Sequence, residues 1–462
     1  MKTIAKRSVF PLVLAGILLF GLLTFVVRYF LFADRWVSFN RSPHLYVYAE
    51  GEWYPNVGRV KDRSGTVLYA TVDGVHYAED GMTRRSTVHL LGDRKENIPA
   101  EILRRYTPYL VGYDKINGTA AADRGWGEMT LTVDTGIQNV AQQALGDRRG
   151  TVGVYNYKTG EILCAVTSPT FDPDNPPDLS AGEEGYEGLY YYRFFRSAYT
   201  PGSVFKLVTA AAALENLAGI EERTFTCTGE DIVNGQRIVC PKAHGELTFR
   251  EALAKSCNCA FAQIGLELGA QDLEEMAADI GLAKSLNVDG IRTGRGNLNL
   301  SSGEKNDLAW AAVGQHEDLI NPCQYMTFMG AIANGGKAAM PYLVSEVTSG
   351  GVVKYRAETS WTEKMITSSA SRALLKMMRY NVETVYDPNG TNFPGIEVCA
   401  KSGTAEGAAE ANTATFAGFV ADEEYPLAFV VVIEEGGAGS SACVPVLSKV
   451  LQACKTSMDG ER

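Results

Sequence analysis

The most apolar stretch of the chain is the uncharged run Val9–Val27, VFPLVLAGILLFGLLTFVV, which follows Lys2, Lys6 and Arg7. At about 1.5 Å of rise per residue, a helix of this length crosses the hydrocarbon core of a bilayer. A cleavable leader has a shorter apolar region of about 7 to 15 residues and ends in a small-x-small site. Phe30–Ala33 resembles such a site poorly, so the pattern predicts an uncleaved transmembrane anchor at 9–33 after a cytoplasmic tail at 1–8. The basic residues ahead of the run favour a cytoplasmic N-terminus, although Arg28, Arg35 and Arg41 on the other side weaken that argument.

Beyond the anchor, residues 34–128 carry short β-rich runs such as His44–Tyr48 and Gly65–Val72, broken by Gly and Asp, and predict a small mixed module with a boundary near Gly125. Thr130–Asp134 then predicts a strand, and Thr135–Leu145 a helix with Ile137, Val140, Ala141 and Ala144 on one side. A hairpin follows, Thr151–Tyr155 and Glu161–Thr167 around the turn Asn156–Gly160, and after it a polar, proline-rich loop over 168–188. Helical patterns fill Thr248–Leu282 and Asp307–Asn334. Strands return at Ile396–Ala400, Thr413–Val420 and Leu427–Ile433 before a closing helix, Ala442–Lys455. Strands at both ends with helices between them predict one sheet assembled from distant segments. That sheet would organise a domain over 129–455, with a short tail at 456–462.

Composition narrows the picture. A hydrophobic content of 45% is ample for a core, and a net charge of −11 with dispersed Lys and Arg excludes a nucleic-acid surface. Nine cysteines leave at least one thiol without a partner in the chain. Cys227 and Cys240 flank Val233–Gln236, whose Asn-Gly is a hairpin signal. A disulfide there and a plain hairpin with two buried thiols fit equally well.

Candidate chemistry begins at Thr200–Glu215, where Ser203 follows Pro-Gly and Lys206 heads an otherwise apolar helix. Positions i and i+3 share a helix face, so the two side chains are within reach of one another. Two readings fit: a capped helix start whose lysine snorkels to water, or a nucleophile beside its base. The same spacing recurs at Ser302 to Lys305 in a polar segment, so the pair alone does not decide. Two further pieces matter: Ser256-Cys-Asn258 between helical stretches, and Lys401-Ser-Gly-Thr404 at the end of a strand. Each has decoys, Ser38 to Asn40 and Ser285 to Asn287 for the first, Lys158 to Gly160 for the second. Order and context leave one set: Lys158-Thr-Gly160 precedes the serine and forms a hairpin turn, and Ser302 to Lys305 comes after the Ser-x-Asn site.

This ordered set resembles the penicillin-recognising serine transpeptidases, defined by S-x-x-K, S-x-N and K-[ST]-G. Gly58–Gly65 resembles the pedestal signature of class B, monofunctional penicillin-binding proteins. Similar segments recur at Leu131–Asp134, Lys158–Ile162, Pro169–Pro173, Gly314-Gln315 with Asn321–Gln324, and Ala333–Gly335. This chain has Ser where Thr is commoner in K-T-G, and Cys in the middle of S-x-N.

The resemblance implies an α/β fold in three parts: the anchor, a small β-rich pedestal, and a transpeptidase domain with helices on both faces of an antiparallel sheet. It implies Ser203 as nucleophile and Lys206 as its base, with Ser256 shuttling protons and Asn258 holding the lysine and the substrate amide. Lys401 would supply positive charge, and Ser402 and Thr404 hydroxyls, for a terminal carboxylate. Gly403 would let the strand approach the ligand, and the N–H groups of Ser203 and Thr404 would form an oxyanion hole. An amine acts as base only when neutral, and burial on an apolar helix favours that form. The implied substrates are peptidoglycan stem peptides, with β-lactams as inhibitors. The segment before the domain is too short for a glycosyltransferase, so a membrane-embedded glycan polymerase is the expected partner.

A D,D-carboxypeptidase or β-lactamase could use the same residues, and a non-catalytic penicillin sensor or scaffold is the alternative of another class. The five histidines, His44, His76, His89, His244 and His316, show no H-E-x-x-H spacing and read as structural, His244-Gly245 as a turn. No cofactor and no metal are expected.

Overall fold

The computed structural model describes residues 2–460 apart from 38–45, 50–51, 56, 72–73, 112, 115, 117–118, 121–126, 180–181, 183–185 and 407–411. The boundary expected near Gly125, and His44 and Val72 at the edges of the two pedestal runs, lie outside the described residues. The N-terminal helix runs Lys2–Val37, longer at both ends than the apolar run, and its segment Val9–Phe32 is long and apolar enough to cross a membrane.

Five antiparallel strands form the central sheet, in the spatial order Ile162–Ser168, Gly150–Asn156, Leu427–Ile433, Thr413–Val420 and Val398–Ala405. Sequence-distant segments thus meet in one sheet. Side chains alternate faces along a strand, and both faces here are apolar. Phe429, Val431 and Ile433, with Val152 and Val154, pack on one side against Ile137, Ala141 and Leu145 of the helix Thr135–Leu145 and against Leu447, Val450 and Leu451 of the closing helix Gly439–Gly460. Ala428, Val430 and Val432 face the opposite core, which includes Tyr325, Met326 and Phe328 of the helix Pro322–Ala333 and Leu207 and Val208 of the helix Lys206–Asn216. Each fully buried Val or Phe contributes about 1.5–3 kcal/mol. Leu427–Ile433 is buried at every position, which is why it reads as a continuous apolar run rather than an alternating one.

The second sheet joins the pedestal to the rest. Its order is Val352–Arg356, Val344–Ser349, Gly127–Leu131, Arg59–Lys61, Val67–Ala70 and His76-Tyr77. Gly127–Leu131 pairs in parallel with Arg59–Lys61 and antiparallel with Val344–Ser349, so the boundary expected at 128/129 falls inside a shared strand. The Gly58–Gly65 segment supplies a second tie. Asp62 is fully buried; its Oδ1 accepts from Ser64 N, Ser64 Oγ and Thr66 N, and its Oδ2 from Thr135 Oγ1 at 2.5 Å at the start of the Thr135–Leu145 helix.

The expected hairpin, the strands Thr413–Val420 and Leu427–Ile433 and the helix Thr135–Leu145 match the sequence pattern closely. Asn234 and Gly235 both take positive φ, 48° and 79°, joining Glu230–Val233 to Gln236–Val239 by the turn that Asn-Gly favours. The nine cysteines are free and buried, so Cys227 and Cys240 flank this hairpin as thiols. The closing helix extends to Gly460, making the expected tail helical over 456–460. Helices at Gly81–Leu91, Glu101–Leu110 and Ser368–Asn381 were not legible in the pattern. The last is capped by Thr367 and lies beside the Val398–Ala405 strand, where Asn381 Nδ2 donates to Ala400 O at 3.0 Å.

Candidate active site

The turn that carries Ser203 is forced by its first residues. Gly202 takes φ +56°, and a Cβ there would lie 2.5 Å from Thr404 O, so the position requires glycine twice over. Gly202–Phe205 forms a 3₁₀ turn, pinned by Tyr325, whose hydroxyl donates to Val204 O at 2.7 Å, and the α-helix begins at Lys206. Ser203 is therefore half-buried ahead of the helix and does not cap it. Lys206 is fully buried and does not snorkel.

Lys206 Nζ lies 2.8 Å from Ser203 Oγ, 2.7 Å from Asn258 Oδ1, 3.0 Å from Ser256 O and 3.2 Å from Ser256 Oγ. Burial, reinforced by the neighbouring Lys401, holds its pKa well below the ordinary lysine value. Four oxygens surround a nitrogen that, as an ammonium, has three protons to donate. A neutral amine donates to two of them and accepts the Ser203 O–H proton with its lone pair.

Ser256 and Asn258 arrive on a strained junction. Ser256, just past the short helix Phe249–Ala254, takes φ +55°, a left-handed conformation that costs a non-glycine residue about 1–3 kcal/mol. It is held there by its own N–H on Leu253 O at 3.1 Å and by Cys257 N–H on Ala252 O at 2.9 Å. Asn258 opens the helix Asn258–Asp279, with Cys257 as its cap. Asn258 Nδ2 donates to Val239 O at 2.7 Å, which turns the amide oxygen toward Lys206.

On the edge strand Val398–Ala405, fully buried Lys401 and Gly403 alternate with half-buried Ser402 and Thr404. Lys401 Nζ donates to Ser402 O at 2.8 Å and to Ser256 Oγ at 3.1 Å, so the Ser256 hydroxyl bridges the two amines. Burial lowers the Lys401 pKa to about 7. A Cβ on Gly403 would sit 2.4 Å from Pro201 O, which is why strand and serine turn touch only through glycine.

All eight residues singled out from the sequence thus converge along the junction of one 3₁₀ turn, one helix start and one strand edge. The decoys do not. Ser302 is exposed and donates to Asp307 Oδ2 at 2.6 Å, and Lys158 lies in its hairpin turn 3.8 Å from Glu423. Glu251 caps its own helix through Thr248, while Glu406 is exposed. A cleft of about 840 Å³ beside the helix Gly81–Leu91 and the loop 168–177 contains none of the motif residues.

Sequence reasoning missed Tyr386, whose hydroxyl accepts from Ser402 N at 3.0 Å and lies 3.0 Å from Ser402 Oγ. Gln315, noted only for its resemblance, donates through Nε2 to Thr404 O at 2.9 Å. It also assigned no metal ligands, whereas Cys227, Cys240, His244 and Cys257 bring their ligand atoms within 4.8 Å of one another.

Residues 150–452 match the penicillin binding protein transpeptidase domain family. The chain is 28% identical over 406 residues to the peptidoglycan D,D-transpeptidase PbpA of Mycolicibacterium smegmatis, covering 80% of this chain and 76% of that protein. Its fold is similar to the D,D-transpeptidase domain of a peptidoglycan glycosyltransferase from Eggerthella lenta, with a TM-score of 0.74, 26% identity and coverage of 87% and 98% of the two chains. It is also similar, with a TM-score of 0.60 and 25% identity over 71% of this chain and 63% of the other, to a chain of a peptidoglycan synthase complex described as coordinating polymerization and crosslinking. Match, motifs and fold agree: the chain belongs to the penicillin-binding protein transpeptidase family, as a class B member.

Proposed function

We propose that this protein is a peptidoglycan D,D-transpeptidase that works through an acyl-enzyme on Ser203 and is trapped there by β-lactams. The observation that carries the reading is the buried Lys206 amine, 2.8 Å from Ser203 Oγ and held in place by Asn258 Oδ1 and Ser256 O. Neutral Lys206 takes the Ser203 proton as Oγ attacks the carbonyl of the penultimate D-Ala. The N–H groups of Ser203 and Thr404 stabilise the oxyanion, each such donor lowering the barrier by about 3 kcal/mol. The proton then passes through Ser256 to the departing D-Ala nitrogen, a route supported by that hydroxyl's position between Lys206 and Lys401. Lys401, Ser402 and Thr404 receive the terminal carboxylate, and Asn258 orients Lys206 and the substrate amide. An amine of a neighbouring stem peptide attacks the ester, giving its proton back to the base, and the cross-link forms.

The N-terminal helix would anchor the protein with its first residues in the cytoplasm and the catalytic domain outside. A glycan polymerase in the same membrane would be met through anchor and pedestal, as the likeness to a synthase-complex chain supports.

The test is intact-mass spectrometry of the detergent-solubilised full chain after treatment with penicillin. One adduct should appear on Ser203, persist for many minutes to hours, and be absent in Ser203→Ala. Persistence is expected because the leaving nitrogen of a penicillin stays tethered to the acyl group and obstructs the acceptor. Labelling of Ser203→Ala would remove the nucleophile; an adduct that vanishes within seconds while drug is consumed would make the protein a β-lactamase.

A further inference from the structure

The hairpin beside the active site ends in a cluster of soft ligands that the proposed reaction does not use. Cys227 closes the strand Thr224–Cys227, Cys240 follows the strand Gln236–Val239, His244 lies in the short loop after it, and Cys257 caps the helix Asn258–Asp279. The three thiols are buried and the imidazole is half-buried. Cys240 Sγ and Cys257 Sγ are 3.7 Å apart, and Cys227 Sγ lies 3.5 Å from His244 Nδ1. Those spacings match the edges of a tetrahedron with zinc–sulfur bonds of about 2.3 Å, whose sulfur–sulfur edge is about 3.8 Å. They are far from the bonded separation of about 2.05 Å in a disulfide.

Two further features point the same way. Cys240 Sγ accepts the backbone N–H of Asn258 at 3.1 Å and of Cys259 at 3.5 Å, and Cys257 Sγ accepts that of Ala260 at 3.5 Å. Main-chain N–H groups aimed at these sulfurs would orient them as ligands, as outer-shell contacts do in metal sites. Cys259, by contrast, directs its own S–H to Ile238 O at 3.8 Å as well as approaching Cys240 at 3.6 Å.

We propose that Cys227, Cys240, His244 and Cys257 bind one zinc ion in a closed tetrahedral site that clamps the hairpin onto the Ser256-Cys257-Asn258 junction. Three thiolates and one imidazole suit zinc, and four protein ligands leave no open position for chemistry, so the ion is structural. Its ligand Cys257 sits between Ser256 and Asn258. Its ligand Cys240 follows Val239, whose carbonyl fixes the Asn258 amide. The four ligands therefore act as positioning residues for the Lys206 partners. This role rests on the transpeptidase reading, whereas metal binding itself does not.

Metal content separates the two. The full chain, purified in detergent without chelator or affinity metal, should carry about one zinc per chain by elemental mass spectrometry. Cys227→Ser and His244→Ala should fall to background, and Cys259→Ser should keep its metal. Cobalt exchanged into the site should give the intense visible bands of tetrahedral geometry with thiolate-to-cobalt charge transfer. Should Cys227→Ser fail to fold, the cobalt spectrum of the unsubstituted chain still decides. Stripping zinc with a chelator should slow acylation by a fluorescent penicillin about tenfold, with recovery on adding zinc but not magnesium. A metal-free protein, zinc retained in Cys227→Ser and His244→Ala, or a disulfide joining Cys240 to Cys257 would overturn the site. Unchanged acylation after metal removal would overturn the clamp.

Discussion

Ser203–Lys206 and Ser302–Lys305 have the same spacing, yet their lysines meet opposite surroundings. Lys206 is fully enclosed, with Ser203, Ser256 and Asn258 around its amine, while Lys305 is exposed at the start of a helix and Ser302 bonds to Asp307. The same contrast separates Lys401, buried on a strand edge, from Lys158, which lies in a hairpin turn near Glu423. The spacing is shared, yet Lys206 bonds to Ser203 whereas Ser302 bonds to Asp307. Burial above all, with Lys401 nearby, changes what the amine is, because lost hydration and a like charge both favour the neutral lysine.

The comparison breaks most sharply if the buried amine is removed. Lys206→Ala should slow acylation by about 10³-fold, within the range for loss of a general base, without emptying the site, since Lys401, Ser402 and Thr404 remain. Stopped-flow labelling with a fluorescent penicillin measures this, and an unchanged rate would remove Lys206 as the base.

A second change leaves every polar group in place and alters only their distance. Gly403→Ala puts a methyl 2.4 Å from Pro201 O and 3.1 Å from Val204 N, so strand and serine turn must separate. A displacement of about 1 Å costs about 10²-fold in acylation, and the overpacking costs about 1–3 kcal/mol of stability. If labelling survives with a lowered melting temperature, the contact is structural only.

The elements legible in the sequence are those whose neighbours do not matter to the pattern. Leu427–Ile433 and Thr413–Val420 are covered on both faces, so their apolar runs appear whatever packs on them. The Glu101–Leu110 helix carries Pro108 in its interior, and Ser368–Asn381 mixes Ser, Arg and Lys with its buried Leu374, Met377 and Met378; both depend on what they pack against. The motif residues were legible because order and context left one coherent set. Tyr386 was not, since nothing near it in the chain shows that its hydroxyl will meet Ser402. The Cys and His ligands were not legible either: only Cys240 and His244 are closely spaced, Cys227 and Cys257 each lie thirteen residues away from the nearer of them, and only the folded hairpin gathers all four.

The two buried lysines also set opposite limbs of a pH profile. Lys206 must be neutral to act, so acylation rises with pH through its lowered pKa. Lys401 must be charged to hold a carboxylate, so the rate falls as pH rises through about 7. The second-order acylation rate of the free enzyme should therefore be bell-shaped, with its basic limb losing up to about tenfold per pH unit. Lys401→Arg keeps the charge at every pH and should flatten that limb while lowering the rate overall, because the guanidinium does not fit the ammonium's place. A basic limb that persists in Lys401→Arg would assign it to another group.

The smallest effect is expected where the sequence pattern is the same and the surroundings are not. Ser302→Ala removes a hydroxyl that donates to Asp307 and accepts from Glu304 N at 3.2 Å, both at the exposed entry to a helix. Such local caps are worth about 0.5–2 kcal/mol, and an exposed one lies at the low end. Lys158→Ala removes a solvent-facing ammonium whose pairing with Glu423 contributes little, since Glu423 is 97% exposed. Neither change reaches Ser203, so the double variant should label with penicillin at the rate of the unsubstituted protein, with at most a slight drop in melting temperature. A loss of labelling in a variant that stays folded would mean that the second pair communicates with the first. Spacing rather than burial would then have been the better guide to the chemistry.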